Sequence, residues 1–312
     1  MSAKIRTGLA LLVATGLTLV IGLAGICGLS VIAWTLRMVC LIRWARWISM
    51  IVPRVWSFSL YWICVRGLMG VECYIVKNET APLSKGHARL LVGNHPTMMG
   101  FVVFGYYVNC ILHEPITIVM KKEMLTHLFY AIVAWPIHLL NMTVVIDRKD
   151  PEGAKRILRD AVRKKGIEQT WVIFADQHRP TFERICADRE KFVDSCPDIG
   201  SWLTETTMPR YGGTRELFDS LCELSDLVEV VDLTIAFHRP EFGFTSLTRL
   251  IGSRCTTIAE DVTVTVSLLR TTEEWIDILV ELWRSKNKRI RGWRKGPSVP
   301  IHAAQDHSAA VH

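Results

Sequence analysis

"LLVGNHPTMMGF", Leu90 to Phe101, is the stretch on which the reading of this chain turns. An uninterrupted apolar run breaks at Asn94-His95, and Pro96 follows with the fixed φ that suits the first turn of a helix. A run of this kind reads as a strand covered on both faces of a sheet. Residues just beyond the carboxyl ends of such strands are where open α/β sheets gather ligands. An imidazole titrates near neutrality and so suits proton abstraction there, although a lone histidine after a strand also serves as an ordinary capped or solvated residue. No acid follows in the place where a catalytic histidine would want one: the position one helical turn on is Gly100.

The same pattern recurs outward from this stretch. "CYIVKN" (73–78), "ITIVMKK" (116–122), "MTVVIDR" (142–148), "WVIFAD" (171–176), "VVDLTIAF" (230–237) and "VTVTVSLL" (262–269) join "RLLVGN" (89–94) as strands. Helical patterns lie between them at 122–139, 151–165, 213–225 and 272–287, the second opening on Asp150 as N-cap with Pro151 at the first helical position. The expectation for residues 71–295 is an α/β domain: a mixed central sheet of about seven strands flanked by helices. Residues 182–203 read as a polar, irregular surface excursion. The tail 296–312, dominated by Pro, Ser, Ala and His, reads as disordered.

The front of the chain differs. No charged residue interrupts Thr7 to Leu36, and as a helix at about 1.5 Å per residue that run outreaches a hydrocarbon layer of roughly 30 Å. Residues 1–36 are therefore expected to hold a membrane helix; the run is about twice as long as the apolar core of a cleaved signal. In 37–70, arginines interleave with Trp44, Trp47, Trp56 and Trp62, a composition suited to the headgroup layer or to a helix packed on the domain behind it. Nine cysteines are scattered without C-x-x-C or Cys/His ligand spacing, which argues for free thiols and against a structural metal. Net charge is +7. Seven of the twelve residues from Arg284 to Lys295 are basic, yet no nucleic-acid motif accompanies them, and anionic lipid is the simpler partner.

If the strands are as read, Asn94-His95, Asp147-Arg148, Asp176 to Arg179 and His238-Arg239 gather at one edge of the sheet. The order His95, "VVIDR", "FADQHRPT", "MPRYGGTRELFDSL" and "VVDLTIAF" resembles the glycerophospholipid acyltransferase family, most closely its 1-acylglycerol-3-phosphate and lysocardiolipin acyltransferase branch. The resemblance covers roughly residues 85–290. It implies a membrane-bound enzyme that transfers an acyl chain from acyl-CoA, as co-substrate without a further cofactor, to the hydroxyl of a lysophospholipid, with the α/β domain facing the cytosol at the endoplasmic reticulum. His95 would be the general base, Asn94, Arg148 and Arg179 would contact substrate, and the arginines would hold the acceptor's phosphate with their planar forks. The family's first block, N-H-x-x-x-x-D, meets Gly100 instead of its acid, and Gln177-His178 replace Gly-Thr in the third block. Asp176, a backbone carbonyl or a water must then orient the ring. The same departures suit a catalytically impaired relative that binds lipid or protein.

Overall fold

The computed structural model describes residues 53–78, 86–94, 100–126, 134–135, 137–138, 141–176, 180–225, 227–237, 254–261 and 272–294, with single positions before them. A helical segment, α1, runs over residues 53–68 and is wound as a π-helix from Leu60 to Leu68. Strands β1 (Glu72–Asn78) and β2 (Ala88–Gly93) follow, then α2 (Gly100–Tyr106), which continues as a π turn over Tyr107–Ile111. Next come β3 (Ile116–Lys121), the short α3 (Glu123–Thr126), β4 (Thr143–Ile146), α4 (Pro151–Lys165) and β5 (Thr170–Phe174). The remainder is α5 (Phe182–Phe192), α6 (Ile199–Trp202), α7 (Tyr211–Cys222), β6 (Val228–Phe237), β7 (Arg254–Asp261) and α8 (Thr272–Arg294).

Five strands run parallel in the order β6-β2-β5-β3-β4, with Gly93 paired to Leu233 on one side and Phe174 on the other. Antiparallel to β6 lies β7, and β1 lies outside it, so that the sheet orders seven strands in all. The parallel run is buried on both faces, which is why its strands read as continuous apolar runs rather than alternating ones. Strand alternation then sorts the core into two layers. Leu91, Val172, Val231 and Leu233 face α1 and α2, packing with Trp56, Tyr61 and Phe104. Leu90, Val92, Trp171, Ile173 and Val230 face α4, α7 and α8, packing with Leu158, Phe218, Trp275 and Trp283.

Local chemistry sets the helices that matter most. Asp150 caps α4 by accepting from the Gly153 amide at 2.9 Å, with Pro151 at the first position. Gly93 lets α2 approach: a Cβ there would come 1.9 Å from the Phe104 ring, which lies 4.6 Å, centroid to centroid, from Phe174. On α1, Trp56, Leu60, Tyr61, Cys64 and Val65 are buried against the sheet, whereas Val55, Phe58, Trp62 and Ile63 remain exposed. Arg66 stands 4.6 Å over the Trp62 ring.

Several expectations are revised. Residues 182–203 are not irregular, because α5 and α6 occupy much of them; only Ile185 of α5 is buried, so the segment carries little apolar signal. Among the described residues the seventh strand is Arg254–Asp261, one run earlier than expected, and 262–269 lies outside them. α8 extends to Arg294, beyond the expected end at 287. No helix among the described residues is long and apolar enough to cross a membrane. The expected span at 7–36 and the tail 296–312 lie outside them, apart from a few positions near the start.

Candidate active site at the carboxyl edge of the sheet

Because β6, β2, β5, β3 and β4 are parallel, the residues that follow them share one edge. Asn94 leaves β2 there and is 2 % exposed. Its Nδ2 donates to the Ile235 carbonyl at 2.8 Å, and its Oδ1 accepts from the Ile235 amide at 2.8 Å. The amide thus bridges the end of β2 to β6, and bracing the two strands is the contact that the structure shows for Asn94. His95 itself lies outside the described residues. Gly100, buried, opens α2 on the face of the sheet that α1 also covers.

After β4, Asp147 Oδ1 accepts from the Lys149 amide at 2.9 Å, closing a tight turn around Arg148 just before the cap of α4. Arg148 is half-buried. Burial, with the neighbouring Arg210 guanidinium next in weight, holds it below the ordinary arginine range, and Glu123 opposes the shift. Arg210 comes close because its amide donates to the Ala175 carbonyl at 2.7 Å and Pro209 bridges to Asp176, so the "MPRYGG" stretch lies along the end of β5. Two guanidiniums and the last residues of β4 and β5 therefore meet at one place, an arrangement suited to an anion with several acceptor oxygens. Arg179 lies outside the described residues.

Asp176 is buried and turned toward α8, where its Oδ1 accepts from the Trp283 indole at 3.0 Å. Gly100 begins its helix on the opposite face, so the carboxylate and the vacant acid position do not share a side of the sheet. Sequence reading missed the partners of Asp176. The basic stretch from Arg284 was expected to meet lipid, but Lys286 and Asn287 are fully buried and Arg289 nearly so. The signal was spacing: Trp283, Lys286, Asn287 and Ile290 repeat at i, i+3, i+4 and i+7, the inward stripe of a helix. Among the described residues no group of His, Cys, Asp and Glu is placed to hold a metal.

No protein-family model and no curated protein sequence matches this chain. The fold does match a solved structure: the 1-acyl-sn-glycerophosphate (LPA) acyltransferase, PlsC, from Thermotoga maritima, at a TM-score of 0.53, covering 93 % of this chain and 98 % of that one. The two sequences are 14 % identical, so the likeness is one of fold. It extends across nearly the whole of both chains.

Proposed function

We propose that the chain is an acyl-CoA-dependent lysophospholipid acyltransferase, with a lysophosphatidic-acid-like acceptor. The observation that carries this is positional. Asn94, Asp147-Arg148 and Asp176 follow three parallel strands onto one edge, His95 comes next after Asn94 in the sequence, and the fold matches that of a lysophosphatidic acid acyltransferase. The acceptor hydroxyl is a weak nucleophile, so a base of near-neutral pKa must take its proton as the oxygen attacks the thioester carbonyl. His95 is that base: a new ester bond forms, the C–S bond breaks, and the CoA thiolate leaves and is protonated. Arg148, with Arg210 beside it and Arg179 from the third block, grips the acceptor's phosphate. Asn94, the residue before His95 in the sequence, fixes the end of β2. Asp176 acts on the site at one remove, through Trp283 and α8.

The site's membrane setting rests on the uncharged run from Thr7 to Leu36 and on the exposed apolar ridge of α1 with Arg66 over Trp62. Rings and snorkelling cations of this kind sit at the headgroup layer. The proposed location is the cytosolic face of the endoplasmic reticulum, where a lipid acceptor and a soluble CoA ester meet. A second reading has one specific observation in its favour. Gly100, at the start of α2, leaves His95 without the family's acid, as a lipid- or protein-binding relative without catalysis would.

Microsomes carrying the chain, given labelled oleoyl-CoA and a panel of lysolipids, separate the two. Label in a diacyl product with a phosphate-bearing acceptor, above that of empty microsomes, is the expected result. No transfer to any acceptor, with lysolipid still bound, would favour the binding module.

A further inference from the structure

Four charged side chains, Lys286, Asp232, Arg289 and Asp176, cluster beneath the candidate site, and the proposed chemistry draws on Asp176 alone among them. Lys286 projects from α8 and is completely buried. Its ammonium donates to the Val92 carbonyl at 3.3 Å and to the Leu233 carbonyl at 3.0 Å, and it pairs with one oxygen of Asp232. Arg289, one turn further along α8, pairs with the other oxygen of Asp232. Burial, with the neighbouring Arg289 guanidinium next in weight, pulls the proton affinity of Lys286 well below the ordinary lysine range, and Asp176 lies near enough to oppose that shift. Two cations and two carboxylates leave the cluster without net charge, the condition under which buried ions are tolerated.

The placement is specific. Val92 is two residues before Asn94, and Asp232 stands opposite Val92 in the β2–β6 register. Ile235, which the Asn94 amide holds, lies two residues beyond Leu233. The end of β2 is thus clamped to β6 twice in succession, first by an ammonium reaching up from α8 and then by the Asn94 side chain. Asp176 brings the end of β5 into the same cluster, and Trp283 ties it to the same helix face. Asn287, alongside, accepts from the amides of Thr204 and Glu205 at 2.9 and 2.7 Å, fixing the approach to Pro209 and Arg210. Fold stability alone asks for none of this: apolar residues of similar volume would pack α8 at least as well.

The geometry points to Lys286, held by Asp232 and Arg289, as a positioning residue that fixes, from beneath the sheet, the end of β2 at Asn94, the residue next before His95 in the sequence. This rests on His95 being the base. The ammonium serves because it supplies three directed hydrogens to two carbonyls and a carboxylate, fixing the end of β2 against both β6 and α8. An apolar side chain fills the space but directs nothing.

The test compares the native full chain with Lys286→Met, which fills the space without donors, and Lys286→Gln, which keeps two donor hydrogens. Each is assayed in membranes with oleoyl-CoA and lysophosphatidic acid. In parallel, the pH profile of diethyl pyrocarbonate modification at His95 is read by mass spectrometry, a readout that needs no turnover. The expected result for Lys286→Met is a kcat lower by on the order of tenfold to a hundredfold, with KM for each substrate within about twofold, since misplaced groups lose transition-state contacts before binding. Its His95 profile should move, and Lys286→Gln should fall between Met and native in both. A Met variant that loses only thermal stability, with native kcat per folded molecule and a native profile, would overturn the proposal. Should Met fail to fold, Gln with native kcat and an unmoved profile would do the same. A native chain that transfers nothing would sink the acyltransferase reading alone, because the modification profiles still decide whether Lys286 positions His95.

Discussion

Gly100 occupies the position where the resembled first block carries its acid, and the structure puts it at the start of α2, buried, six residues past the clamp at Asn94. A carboxylate in the first turn of a helix is favoured by the helix dipole, so the position accepts one. Gly100→Asp should therefore raise the transfer rate severalfold, measured as initial rate per folded molecule. A fall would mean that another group already orients His95. Arg148 makes the complementary case. Its neighbour Arg210 and its burial single it out as a group held ready for an anion. Arg148→Lys keeps the charge and loses the planar fork, so KM for the phosphate-bearing acceptor should rise by about tenfold while KM for acyl-CoA changes little. Equal losses for both substrates would make Arg148 structural or assign it to CoA.

The elements differ in how plainly their sequences announced them. α4 was readable to the residue, because Asp150, Pro151 and a short apolar stripe ending at Val162 are local signals that tertiary packing did not override. The parallel strands were readable as apolar runs, since burial on both faces leaves them no polar side. α5 was not: "FERICADREKF" buries one side chain, and its charges read as loop. β7 was placed one run late because "RCTTIAED" mixes polar residues into a strand beside the edge of the sheet. The inward charges of α8 were missed for a different reason, for Lys286 and Arg289 acquire partners 53 to 194 residues away that only the fold supplies. Of the candidate site, Asn94 and Arg148 were visible as residues after strands, whereas the α8 cluster and Arg210 were not. Lys165, the last residue of α4, offers a check on element packing. Its ammonium reaches the Asn141 carbonyl and is drawn down to about 8 by burial, from an ordinary 10.5. Below about pH 8 the folded state bears the cost of a half-buried charge. Between about 8 and 10.5 the unfolded chain binds more protons than the folded one, so stability rises with pH. Urea midpoints of the native chain should therefore gain on those of Lys165→Met from pH 8 to 10, and parallel curves would contradict the lowered proton affinity of this half-buried lysine.

For the whole molecule, the two layers over the sheet have different tasks. One, built from α4, α7 and α8, holds the ends of β2, β5 and β6 in register beneath the site. The other, built from α1 and α2, covers the sheet with one side of α1 and leaves Phe58, Trp62 and Ile63 outward. That outward ridge follows the uncharged run from Thr7 to Leu36, so alkaline carbonate extraction should leave the chain in the membrane pellet; recovery in the supernatant would remove the premise of a lipid-surface enzyme. The most direct measurement of the central claim compares His95→Ala with the native chain in the same membranes, at matched folded amounts, by transfer of labelled oleoyl from CoA to lysophosphatidic acid. Loss of a general base predicts a drop on the order of a hundredfold or more, with the thermal midpoint close to native because a residue beyond a strand's end contributes little to the core. Native rates in His95→Ala would contradict it.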